Sequence, residues 1–256
     1  MSNRIREEFL QKKEPVRLNK YLSESGVCSR READRLIESG KVTVDGKTAH
    51  TGMRVQPGQT VKVGRRVVSR QDEMVVLAVN KPRGIVCTEE RRERDSIVRF
   101  LNYPIRVTYV GRLDKDSRGL LLMTNNGDII NKMMRSSNRH EKEYRVTVDK
   151  EITEDFLSRM SSGVPILDTV TRPCRVRQIG KYTFSIILTQ GLNRQIRRMC
   201  ETLGYAVRDL VRVRVMNIRL GNLKEGQYRK LTDEELEELY SMIEDSSNAA
   251  GGKYGR

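Results

Sequence analysis

Apolar positions change their spacing several times along this chain, and each change marks an element. Leu18, Tyr21 and Leu22 recur at helical spacing, and Gly26 closes the segment. Ser29-Arg30-Arg31-Glu32 follows, an S-x-x-E start signal. It opens a second short helix with Ala33, Leu36 and Ile37 on one face, and Gly40 ends it. The period then falls to two. Lys41–Val44 and Lys47–Ala49 flank Asp45-Gly46, a pair suited to a tight hairpin turn. Gln56-Pro57-Gly58 makes another turn, and Thr60–Val63 reads as a strand. Residues 16–63 are therefore expected to form one small unit of two helices and a small sheet. Residues 1–15 show no apolar period and read as a flexible arm. Residues 64–73, GRRVVSRQDE, are polar and basic and read as a linker.

Residues 74–240 carry the longer apolar segments. Strands are expected at Val75–Asn80, Val107–Arg112, Leu120–Thr124, Tyr144–Val148, Thr183–Thr189 and Val207–Val215. Helices are expected at Asp128–Arg135, Glu154–Met160 and Arg194–Leu203. Several strands alternate apolar and polar residues across short turns. That favours an α+β fold with a mixed, largely antiparallel sheet over a doubly wound one. Asp233–Asp245 is acidic with a helical pattern, and residues 241–256 are expected to be a disordered tail.

Charge narrows the partners. With 49 Lys plus Arg against 34 Asp plus Glu, the chain carries +15. Such an excess suits an anionic partner, either nucleic acid or an anionic membrane. The sequence holds no apolar run of about 18 residues, the length that spans a bilayer. The opening MSNRIREEFLQKKEPVR lacks a signal-like apolar core, so a cytoplasmic protein without membrane association is expected. The four cysteines are scattered, no CxxC occurs, and only two histidines are present, so no metal site is expected. No G-x-G-x-x-G or GxxxxGK[ST] loop appears, so no nucleotide cofactor is expected. Arg17, Lys20, Arg30, Arg31, Arg35 and Lys41 cluster in the N-terminal unit. Two of these arginines stand in the first turn of the second helix, where the helix dipole disfavours cations and a phosphate would compensate.

Two segments carry a family resemblance. VRLNKYLSESGVCSRREADRLIESGKVTVDGK resembles the S4 domain, an RNA-binding module. GRLDKDSRGLLLMTN resembles the active-site motif of pseudouridine synthases that act on ribosomal RNA. LAVNKPRGIVCT, NRHEKEYRVTV and GLNRQIRRMCETLGY fit the same family in the same order. With the S4 domain ahead, the chain is similar to the branch containing the small-subunit synthase and the large-subunit enzymes B, E and F. The resemblance implies a catalytic role for Asp114 as nucleophile, for Tyr144, and for Arg197 as the basic partner of the aspartate. It implies that Arg112 holds RNA near a flipped nucleotide. Spacing alone leaves open whether Arg197 or Arg198 turns inward, because both lie on the helix surface near Arg194.

The chemistry agrees with these residue types. Isomerising uridine breaks the N1–C1′ bond, turns the base and rejoins it through C5, without redox change or group donor. A carboxylate can attack C1′ or C6, or stabilise positive charge at C1′ on a glycal route, and the sequence leaves these three open; a guanidinium beside it favours the ionised form and orients it. Residues Asn193 to Arg219 contain seven arginines. From this stretch and the N-K-P-R segment, Lys81, Arg194, Arg198, Arg212 and Arg214 are expected to bind RNA, chiefly through phosphates. Arg91, Arg92 and Arg94 form a further loop cluster. The expected partner is large-subunit ribosomal RNA, met by a monomer. The alternatives are a transfer RNA anticodon-loop uridine and a non-catalytic S4-type assembly factor.

Overall fold

The structure, a computed structural model, describes residues 15–69, 73–90, 92–134 and 140–244. Nearly all of the expected arm, Arg91, Arg135 and the last residues of the expected tail lie outside the described residues.

The N-terminal unit runs β1 (Val16–Arg17), α1 (Leu18–Glu24), α2 (Arg30–Glu38), β2 (Val42–Val44), β3 (Lys47–Thr48), β4 (Arg54–Val55), β5 (Val61–Val63) and β6 (Arg66–Val68). Leu18, Leu22, Ala33 and Ile37 from the helices share one core with Val42, Val44, Val61 and Val68. Ser29 caps α2 as its spacing predicts, accepting from the Glu32 amide at 3.3 Å. The Glu32 carboxylate turns instead to Arg35, 3.4 Å away. Asp45 and Gly46 both take positive φ, 50° and 80°, as a tight hairpin loop requires. Strand β6 corrects the expected linker. Gly64-Arg65 makes a turn, and Arg66-Val67-Val68 pairs antiparallel with β5 and buries Val68. Two adjacent valines suit a strand better than the flanking charges suit a linker.

The larger unit continues with β7 (Val76–Lys81), α3 (Ile97–Leu101), β8 (Thr108–Val110), β9 (Arg118–Thr124), α4 (Gly127–Met134), β10 (Lys142–Val148), α5 (Glu154–Ser162), β11 (Pro165–Ile166) and β12 (Thr169–Val170). Then come β13 (Arg175–Gly180), β14 (Thr183–Leu188), α6 (Gln195–Thr202), β15 (Val207–Val215), β16 (Ile218–Arg219), β17 (Tyr228–Lys230) and α7 (Asp233–Ile243). Nine strands form one sheet in the order β13-β14-β10-β15-β9-β7-β17, with β16 beside β15 and β8 beside β9. Its pairings are antiparallel except for β9 with β15, which is parallel. The fold is α+β with a mixed, mostly antiparallel sheet.

Both faces of the central strands are covered, which is why β7 and β9 read as near-continuous apolar runs. On one face Val76, Ala78, Leu120 and Leu122 pack with Ile129, Met133, Leu236, Leu239 and Ile243 of α4 and α7. On the other, Leu77, Val79, Leu121 and Met123 pack with Ile97, Leu101 and Leu113. Further along the sheet, Phe156, Met160, Ile196 and Met199 of α5 and α6 cover Val146, Phe184 and Ile186. Helix α7 corrects the expected start of the tail. Thr232 and Glu235 form a reciprocal capping box, and the helix runs on to bury Ile243. The two units touch where Lys20 of α1 donates to Asp128 of α4 at 2.8 Å.

Candidate active site

The site forms where β9 and β15 run side by side. The segment from Gly111 to Ser117 leaves β8 and feeds β9, and it carries Asp114. Gly119 permits the close approach of the two strands. A Cβ there would stand 2.4 Å from the carbonyl oxygen of Arg212, and its φ of +104° disfavours any other residue.

Two buried cations hold the loop by its backbone. Arg212, 1% exposed, donates from Nε to Leu120 O at 2.7 Å and from Nη1 to Arg112 O at 3.3 Å. Lys81 is fully buried and donates to Ser117 O and Pro82 O, each at 2.8 Å. Burial pushes the Lys81 ammonium below its ordinary value. Gly84 N donates to Lys115 O at 2.9 Å, and Leu113 N to the Cys87 thiol at 3.5 Å. Burial raises that thiol, so Cys87 stays protonated and acts as a small packed acceptor.

The Asp114 side chain remains 33% exposed at the rim of this clamped loop. Arg194 faces it, with Nη1 3.9 Å from Asp114 Oδ2 and 3.4 Å from Asp116 Oδ2. Arg194 is the N-cap of α6 in a left-handed conformation, φ 49°, which swings its side chain over the loop. Arg197 donates to Asp116 O at 3.2 Å and Val207 O at 3.4 Å. Burial, then Arg194, push its guanidinium down, and Asp116 and Asp114 oppose them. Arg197 thus belongs to the site's field, while the side chain that reaches the Asp114 carboxylate is Arg194. Arg198 turns away to Asn193. Tyr144, half-buried on β10, packs against both the α5–α6 core and the core containing Leu113.

The geometry is that of a carboxylate on a fastened loop, open to solvent and flanked by guanidinium groups. A family model for RNA pseudouridylate synthases matches residues 75–202, and an S4-domain model matches residues 16–61. The dual-specificity RNA pseudouridine synthase RluF of Escherichia coli K12 is 55% identical over 235 residues, 91% of this chain and 81% of its own length. The chain belongs to the RNA pseudouridylate synthase family. Ribosomal large subunit pseudouridine synthase B of Bacillus subtilis is 34% identical over 91% of this chain and 99% of its own length. A crystal structure of a pseudouridylate synthase superposes with a TM-score of 0.65 at 26% identity, covering 88% of this chain and 99% of that one. The similarity of EKEYRVTVDK and GVPILDTVT to large-subunit synthase F, visible in the sequence, agrees with the RluF match.

In this pseudouridine synthase the expected RNA-binding residues divide. Arg17, Arg30, Arg31, Arg35 and Lys41 are exposed on the S4 domain, and Arg112 is exposed beside Asp114. Lys20 is held by Asp128 and by Glu24, 3.5 Å away, so it clasps the two domains together. Lys81 and Arg212 correct the expectation outright, since neither exposes a group to a phosphate; both donate to backbone carbonyls of the loop that carries Asp114. Arg214 is largely taken up by Glu141 and Glu143, each at 3.0 Å. One organising residue escaped the sequence reading. Asp209 accepts from Arg118 at 3.1 and 2.7 Å and from Arg83, tying the strand after the loop to the Pro82-Arg83-Gly84 turn. No local spacing signals it, because its partners lie 91 and 126 residues away.

Proposed function

We propose that this enzyme isomerises a specific uridine of large-subunit ribosomal RNA, acting as a cytoplasmic monomer with Asp114 as its nucleophile. The observation that carries the assignment of Asp114 is its position: solvent-open, on a loop whose backbone is fastened from below, with Arg194 against its carboxylate. The target uridine leaves its stack, at a cost of a few kcal/mol that pocket contacts offset. An Asp114 oxygen takes C1′ as the N1–C1′ bond opens. The detached base turns, C5 bonds to C1′, and the carboxylate leaves. The C5 proton passes to solvent and N1 gains one, so the product is an isomer of the substrate. Tyr144 supplies a face for the base to stack on. The exposed arginines of the S4 domain hold the RNA through phosphates.

The description of the Escherichia coli relative as a dual-specificity enzyme favours a second target. A transfer RNA anticodon-loop uridine is the one we carry. The test is pseudouridine mapping of ribosomal and transfer RNA from cells lacking the gene, complemented with wild type or Asp114→Asn. Loss of a large-subunit site, restored by wild type alone, is the expected outcome. Restoration by Asp114→Asn would remove Asp114 from the mechanism. An unchanged large-subunit map with a changed transfer RNA map would replace the target.

A further inference from the structure

We infer that Lys142 belongs to the uracil pocket, where its ammonium group donates to a carbonyl oxygen of the flipped base and stabilises the charge that the base acquires as N1–C1′ breaks. This inference rests on the reading of Asp114 as the group that takes C1′.

Lys142 stands two residues before Tyr144 on β10, so the two side chains leave the same face of the strand. Across the ladder Tyr144 is opposite Arg212, the residue that reaches Arg112 O and Leu120 O beneath the catalytic loop. Arg212 is also the charge that acts on Lys142, so the lysine lies within electrostatic range of one of the residues that hold the loop. Among the described residues the charged groups around it offer no partner. Arg212 on β15 repels it, and His140, on the flank of β10, feels Lys142 as a repelling charge. Its chain neighbours Glu141 and Glu143 are committed to Arg175 and Arg214.

Among the described residues Lys142 therefore has no hydrogen-bond or ion-pair partner. A second donor nearby is in the same state, since Nη2 of Arg212 is buried without an acceptor. Burial, and then Arg212, lower the Lys142 pKa to about 8. An unpaired, half-buried ammonium costs stability, so its presence fits a ligand that supplies acceptors. Uracil presents two carbonyl oxygens. When the glycosidic bond opens, the bonding electron pair goes to the base and spreads over N1, O2 and O4. A cation in a poorly solvated pocket stabilises that state more than the neutral base, which lowers the barrier. Lys142 stays protonated throughout, and no co-reactant is needed. Cytosine carries an amino donor in place of O4 and would meet the same ammonium with a like group.

The test uses the full-length chain and unmodified transcripts of large-subunit ribosomal RNA and of transfer RNA, with single-turnover pseudouridine formation as the readout. Four proteins are compared: wild type, Asp114→Ala, Lys142→Met and Lys142→Arg. Lys142→Met is expected to slow the reaction about 100-fold or more, the usual effect of losing one charge-stabilising donor. Its RNA affinity should stay within about twofold, because phosphate contacts dominate binding. Its melting temperature should hold or rise, since an unpaired, half-buried charge has gone. The wild-type rate should fall as pH rises through about 8, where the ammonium loses its proton. Lys142→Arg should recover most of the rate and carry that fall to higher pH.

A wild-type rate in Lys142→Met, with Asp114→Ala inactive, would overturn the inference and leave the Asp114 reading intact. So would a loss of rate that merely tracks a loss of melting temperature. Turnover by Asp114→Ala would sink the Asp114 reading itself. Should Lys142→Met fail to fold, the pH profile of Lys142→Arg decides, and a profile identical to wild type counts against the role.

Discussion

Asp114 keeps a third of its side chain in solvent while the carbonyls of Arg112, Lys115, Asp116 and Ser117 around it are each held by a donor. Preorganisation of this kind fixes a carboxylate without burying it. Asp114→Asn is nearly isosteric but a poor nucleophile, so turnover should vanish while RNA affinity persists. Gel-shift titration beside a product assay checks both, and turnover near wild type would exclude the nucleophilic role. The family was legible in the sequence because the loop motif is contiguous. The partner of the carboxylate was not. Helical spacing treats Arg194 as an ordinary position on the helix, whereas its φ of 49° takes it out of the regular helix and over the loop. Lys81 and Arg212 were misread for a related reason: a cation in a basic stretch looks solvated until long-range pairing shows that it is buried.

At the scale of elements, the parallel pairing of β9 and β15 carries the site, and Gly119 is its narrowest point. Gly119→Ala combines an unfavourable φ with a Cβ 2.4 Å from a carbonyl oxygen. It should cost about 2–5 kcal/mol and lower activity with stability, as chemical denaturation and a rate assay would report. Asp209 fastens the same corner. Burial pushes its carboxyl up, but hydrogen bonds from Arg118 and Arg83 outweigh that and hold it below the ordinary range. A depressed carboxyl contributes stability that is full above the unfolded pKa of about 3.9 and is lost as pH falls through the folded value. The melting-temperature gap between wild type and Asp209→Asn should therefore shrink in acid; a gap independent of pH would disprove the linkage. The strands at Val76–Lys81, Arg118–Thr124, Lys142–Val148, Thr183–Leu188 and Val207–Val215 and the helices at Gly127–Met134, Glu154–Ser162 and Gln195–Thr202 were legible from periodicity, whereas β13, almost wholly exposed, shows no apolar alternation and was missed. Short pieces such as α3, β11, β12 and β17 were not, because two to five residues carry too little period to read.

For the whole molecule, the excess of +15 and the exposed S4 arginines predict binding that weakens steeply with salt. From about 50 to about 200 mM salt the affinity for RNA should drop on the order of a thousandfold if six or more phosphates are neutralised. A flat response would contradict a phosphate footprint. Removing residues 1–69 should weaken RNA binding more than it disturbs the remaining fold, since the S4 domain has a core of its own. Circular dichroism of the truncated chain would reveal the opposite if the two cores depended on each other. The Lys20–Asp128 contact gives the S4 domain a fixed seat on the first turn of α4. Breaking it with Lys20→Met should reduce turnover on long RNA more than it reduces stability.

Arg212, which reaches down to the loop that carries Asp114, lies 92 residues beyond Leu120, whose carbonyl it also holds. Loop closure over that distance is slow, and parallel pairing cannot start until the later strand exists. A ribosome making this protein has therefore produced the S4 domain, the loop and most of the sheet before the clamp emerges. Arg112 O and Leu120 O therefore wait for a donor translated long after them, while Lys81, already made, can hold Ser117 O.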